Sequence, residues 1–203
     1  MDKRRIICIS REYGSGGRVV GETLAQQLGI ICYDKKLLAK TALEHGVSEE
    51  AVESADEKPV SWSSMGFPMG LRNPYQIDYD AMFYIINDRI YQMQAQTIKA
   101  IAAEGSCVII GRVAEFILKD DPDMISIFIH ARKEDRIQRV METEKLDAQK
   151  AAQLIRKIDK DRASYHNTYS DDKWGQCSSY DLAISTSKFG IDGAVKAILK
   201  LLA

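Results

Sequence analysis

Ile6-Ile7-Cys8-Ile9-Ser10-Arg11-Glu12-Tyr13-Gly14-Ser15-Gly16-Gly17-Arg18 decides the reading of this chain. Four apolar residues form a run of the kind that parallel sheets bury on both faces. A glycine-rich loop follows, and then a segment with Val20, Leu24 and Leu28 at four-residue spacing, which predicts an amphipathic helix from Arg18 to Leu28 with Gly29 as its stop. Strand, glycine loop and helix in that order make a phosphate cradle. Residues without Cβ let the backbone close around an anion, and the helix aims its unpaired N–H groups at the same point. Gly14, Ser15, Gly16, Gly17 and Arg18 are therefore the phosphate-binding candidates.

The loop departs from the signature GxxxxGK[ST]. With Gly16 as the second glycine, Arg11 stands for the first, Gly17 for the lysine and Arg18 for the Ser/Thr that would hold magnesium. Arg11 and Arg18 flank the loop and are candidates for the missing positive charge, although a planar guanidinium does not reproduce the geometry of an ammonium. The alternative is that both are solvent-facing or paired with Glu12 or Glu22.

Outward from the loop, Ile30–Tyr33, Cys107–Ile110, Ile125–His130 and Leu182–Ser185 read as further short strands. Helices are expected from Asp34 to about Gly46, from Ser48 through Val52, from Asp80 to Glu104, through Arg136 to Val140, from Asp147 to about Tyr165, and from Ile191 to Leu202. Five short apolar strands alternating with helices imply an α/β fold with an open, mostly parallel sheet covered on both faces. Ligands then bind beyond the carboxyl ends of the strands. Residues ending strands become the candidates: Ser10 to Gly17, Asp34, Gly111-Arg112 and Arg132.

Asp34 could orient a metal or an acceptor, or could simply cap the next helix. Arg112 is placed to grip an acceptor phosphate, or to pair with Glu115 or Asp34. The late helix carries Arg156, Lys157, Lys160 and Arg162 and continues into Tyr165 and His166; it reads either as a solvated face or as an arm closing over phosphates. Between Ala55 and Tyr79, Pro59, Gly66, Pro68, Gly70 and Pro74 interrupt an apolar stretch, which suits a flap over a ligand or a loop packed on the core or a second subunit. His45, His130 and His166 lack metal-ligand spacing and read as structural.

The chain has 203 residues, 45% of them hydrophobic, enough for one substantial core. Its 28 basic and 29 acidic residues nearly cancel, which argues against nucleic-acid or membrane-surface partners. Four dispersed cysteines with no CxxC pair disfavour structural zinc and disulfides and suit a cytoplasmic protein. The apolar run after the charged N-terminus is too short for a signal peptide or membrane span.

Segments 7–29 (ICISREYGSGGRVVGETLAQQLG), 32–42 (CYDKKLLAKTA), 108–112 (VIIGR), 128–140 (FIHARKEDRIQRV), 159–169 (DKDRASYHNTY) and 180–199 (YDLAISTSKFGIDGAVKAIL) together resemble the cytidylate kinase-like family of P-loop proteins. The resemblance implies a nucleoside-monophosphate-kinase fold over residues 1–203, with 55–79 as a flap or acceptor-site insertion and about 156–180 as a lid bearing Arg156, Arg162 and Tyr165. It further implies ATP with Mg2+, donor phosphates at residues 14–17 and an acceptor monophosphate at Arg112. True cytidylate kinases have the loop lysine where Gly17 stands, and aspartates where Ile110 and Val113 stand. Two functions follow: a phosphotransferase on a nucleoside monophosphate or similar acceptor, with catalytic Arg18, Arg11 and Asp34, or a nucleotide-binding protein that has lost catalysis. The metal ligands stay unassigned, and the Trp62–Tyr75 stretch could serve a homo-oligomer.

Overall fold

The computed structural model describes residues 4–34 and 79–202. The first strand, β1 (Ile6–Arg11), lies at the centre of a five-stranded parallel sheet. Around it stand β2 (Ile31–Tyr33), β3 (Cys107–Ile110), β4 (Met124–His130) and β5 (Leu182–Ser185) in the spatial order β2-β3-β1-β4-β5. In register, Ile6 opposes Cys107 on one side and Met124 on the other. The position of β1 explains its composition: Ile6, Ile7, Cys8 and Ile9 are all fully buried, as an interior strand covered on both faces requires.

Strand alternation divides those residues between two cores. Ile7 and Ile9 join Val20 and Leu24 of α1 (Gly17–Leu28) and Ala194, Val195 and Ile198 of a C-terminal helix (Thr186–Leu202). Ile6 and Cys8 meet Ile98 and Ile101 of α2 (Tyr79–Glu104) and Ala114 and Leu118 beside the short helix α3 (Ala114–Ile117). Fully burying one such side chain contributes roughly 1.5–3 kcal/mol.

After β4 come α4 (Lys133–Glu144) and α5 (Ala148–Tyr169), and the C-terminal helix is α6. Asp147 caps α5 as its sequence suggests, its side chain accepting from the Lys150 amide. Two expectations are corrected: the α5 helix runs four residues beyond Tyr165, and the short helix α3 was not expected. The last helix follows Gly190, non-helical at φ 68 and ψ 179, and so runs from Ile191 to Leu202 as expected, with a separate helical turn from Thr186 before it. The expected helices after Asp34 and Ser48, and the flap, fall outside the described residues except at residue 79.

Candidate functional site

At the carboxyl end of β1 the chain turns through Gly14 at φ 77 and Gly16 at φ 82, left-handed values that cost glycine little. Gly17 is needed for space instead: a Cβ there would lie 2.5 Å from Arg11 Cβ and 3.1 Å from Ile129 Cβ. No side chain, lysine included, fits this position without moving its neighbours.

The carbonyls of five consecutive residues are held by side chains, four of them from outside the loop. Arg162 of α5 donates to Arg11 O at 3.0 Å, Ser15 Oγ to Glu12 O at 2.8 Å, and Arg136 of α4 to Tyr13 O at 3.3 Å. Arg139 of α4 donates to Gly14 O, and Thr186 Oγ1 to Ser15 O at 2.6 Å. The amides of Glu12, Tyr13, Ser15 and Gly17 also have partners within the protein, and the N–H groups available to a ligand are those of the first turn of α1, which lack intrahelical partners. This is the polarity an anion requires.

Arg136 anchors the arrangement. Nearly buried, it pairs with Asp159 at 2.6 Å and lies 3.6 Å from Glu12, while Asp159 also accepts the Tyr13 amide at 2.7 Å and Glu12 accepts the Ala131 amide at 3.0 Å. Neither Arg136 nor Arg139 stood among the sequence candidates. An arginine pair on an amphipathic helix looks like a solvated face, and the partners lie more than twenty residues away.

Beside the loop, β3 ends in three successive left-handed residues: Gly111 (φ 77), Arg112 (φ 62) and Val113 (φ 57). For a β-branched residue this is a strained conformation, of the kind that collects at functional sites. It buries Arg112 and sets it in a cleft with Ser10, Arg11, Gly111, Arg162, Tyr165, His166 and Trp174. Among the described residues, three guanidinium-bearing side chains line this cleft.

The sequence candidates separate accordingly. Arg11, Arg112, Arg162 and Tyr165 come together in the cleft, with Tyr165 Oη donating to Gln94 at 2.7 Å. Arg18 lies apart: 60% exposed, it pairs with Glu22 at 2.8 Å and with Asp34 at 2.7 Å, which is the ion-paired alternative weighed for it above, and the bond to Glu22 is the main cause raising its pKa further. Asp34 is thus joined to Arg18. Arg156 is exposed on α5 and does not line the cleft.

Three of the thiols lie in the apolar interior or against it. Burial pushes Cys107 up to about 11 and Cys32 up to about 12, and Cys8 also rises, so these three stay protonated at neutral pH. Among the described residues, no three His, Cys, Asp or Glu side chains converge as a metal cluster, and no helix is long and apolar enough to cross a membrane.

The model of the cytidylate kinase-like family matches residues 6–188. This chain belongs to that family. A solved family-sized neighbour, an uncharacterized protein from Eubacterium ventriosum, is 34% identical with a TM-score of 0.72, and 98% of each chain is covered. Shikimate kinase from Bacteroides thetaiotaomicron is 11% identical at a TM-score of 0.56, covering 98% of this chain and 99% of its own. Shikimate kinase from Acinetobacter baumannii, solved with shikimate, is 15% identical at 0.52, covering 99% and 93%. The fold of this family member is accordingly that of the P-loop kinases. No curated protein matches the chain.

Proposed function

We propose that this protein is an ATP-dependent phosphotransferase acting on a nucleoside monophosphate or a similar small phosphorylated acceptor. The observation carrying the proposal is the pairing of a glycine loop whose carbonyls are clamped by side chains with a cleft lined by three arginines, at the ends of adjacent strands. Phosphoryl transfer asks chiefly for positioning and positive charge, and these two features supply both.

The loop suits a polyphosphate, because its backbone is fixed by side chains on five carbonyls and it leads into the unpaired first-turn N–H groups of α1. Residues 14–17 would hold the donor phosphates. Magnesium bound with ATP would offset phosphate charge, held through phosphate oxygens, water and one or two protein groups. Arg112, with Arg11 and Arg162, would hold the acceptor phosphate. In this reading α5 and the loop after it, about 156–180, form the lid, and 55–79 covers the acceptor. Arg18 and Asp34, joined to each other, would have to part before either served metal or phosphate.

A second reading, binding without catalysis, is favoured by Gly17, whose surroundings leave no room for a lysine, and by the ion pairs of Arg18. The two separate in one experiment. Purified protein is incubated with ATP, magnesium and a panel of nucleoside monophosphates, and diphosphate formation is followed alongside calorimetric binding. Turnover with one acceptor is expected; nucleotide binding with no turnover across the panel would favour the second reading.

A further inference from the structure

Below the arginine cleft lies a buried polar chain that the phosphate contacts do not use. Ser10 Oγ donates to Glu115 Oε1 at 2.9 Å, and His166 Nε2 lies 3.1 Å from the same oxygen. Glu115 is 7% exposed and His166 3%. Beside it, Asn167 Oδ1 lies 3.4 Å from His166 Nδ1 and accepts the Trp174 amide at 2.9 Å. Ser10, His166 and Trp174 are all cleft-lining residues.

The link's placement gives it a purpose beyond packing. Glu115 stands three residues after Arg112, at the start of α3 and directly beyond the strained turn. His166 stands four residues after Arg162, on the same face of α5. The Glu115–His166 contact therefore joins the two segments that bring Arg112 and Arg162 to one cleft. Burying a carboxylate is costly, and Glu115 Oε2 has no hydrogen-bond partner among the described residues, so this is an expensive way to fill space.

We propose that Ser10, Glu115 and His166 are positioning residues that hold the Arg112 turn against the Arg162 helix, so that both guanidinium groups converge on one anionic group of the acceptor. The proposal rests on the acceptor reading of the cleft. A carboxylate can accept from the β1 hydroxyl and the α5 imidazole at once, fixing strand end, turn and helix at a single oxygen. His166 then carries its proton on Nε2, which makes the ring the donor toward Glu115.

The test uses the full chain, inorganic phosphate as probe, and NMR of the Arg112 and Arg162 guanidinium Nε–H signals, assigned by Arg→Lys variants. In the wild type, phosphate should shift both signals with one shared affinity. His166→Phe keeps a ring but breaks the link and should weaken that affinity about tenfold, the scale of coupling between residues in contact. His166→Gln, which keeps a donor for Glu115, should restore it to within about threefold. Glu115→Leu breaks the link from the other side and should match His166→Phe. Wild-type affinity in His166→Phe, or a Gln variant as weak as the Phe variant, would overturn the proposal. If neither His166→Phe nor Glu115→Leu folds cooperatively, the link is a folding determinant and the positioning role is likewise overturned. Turnover is not read, so a protein that binds phosphate here without catalysis leaves the inference standing. A wild-type protein whose two signals ignore phosphate defeats the acceptor reading itself.

Discussion

The glycine loop and the 111–113 turn both end buried strands with left-handed backbone, yet they are built from opposite materials. The loop uses glycine at φ 77 and 82, whereas the turn forces arginine and valine to φ 62 and 57 after Gly111. Where the backbone is the recognising group, side chains are removed. Where a side chain must be delivered to a fixed place, strain is tolerated to deliver it. The two also differ in support: five carbonyls of the loop are held by other residues' side chains, while the turn is followed by the buried Glu115–His166 link.

The hardest way to break this comparison is to remove the loop's anchor. Arg136→Ala leaves Asp159 without its closest cation and should cost about 3 kcal/mol, the scale of breaking a buried pair. Chemical denaturation measures it, and a loss below 1 kcal/mol would place the pair among ordinary surface bridges. Next comes Gly17→Lys, which restores the residue that the usual signature carries. Overpacking against Arg11 and Ile129 should cost about 1–3 kcal/mol and weaken ATP binding by calorimetry. A gain of binding would show that charge, rather than space, limits the loop.

The smallest effect sharpens the turn. Exposed Lys145 ends α4 at φ 57, and Lys145→Gly should stabilise by about 0.5–1 kcal/mol because only backbone strain is relieved. Val113→Gly relieves the same strain but empties a site where valine is 2% exposed, so thermal melting should show no gain. A stabilised Val113→Gly protein would mean that the turn's strain exceeds what its buried side chain contributes.

Much of the fold was legible because it is written locally. Each strand is a short apolar run, and the helices keep their four-residue spacing. What escaped detection is non-local or brief. The α3 helix spans only four residues with no capping side chain, too short for a helical period to show. Within the candidate site, the loop glycines and Arg112 stand out because they terminate strands. Arg136 and Arg139 do not, since their role depends on Tyr13 and Gly14, 123 and 125 residues earlier. His166 read as structural, and its partner Glu115 lies on the element that went unread.

The carbonyl clamps also set a timetable. Gly14 and Ser15 are made well before their support, since Ser15 O receives its hydrogen bond from Thr186, 171 residues later. A nascent chain long enough to contain β1 and α1 therefore has the cradle's sequence without its geometry. Contacts of such separation are closed late and slowly. Phosphate-binding competence should thus arrive only when β5 has joined the sheet and α6 has docked, long after the cradle's own residues have been made.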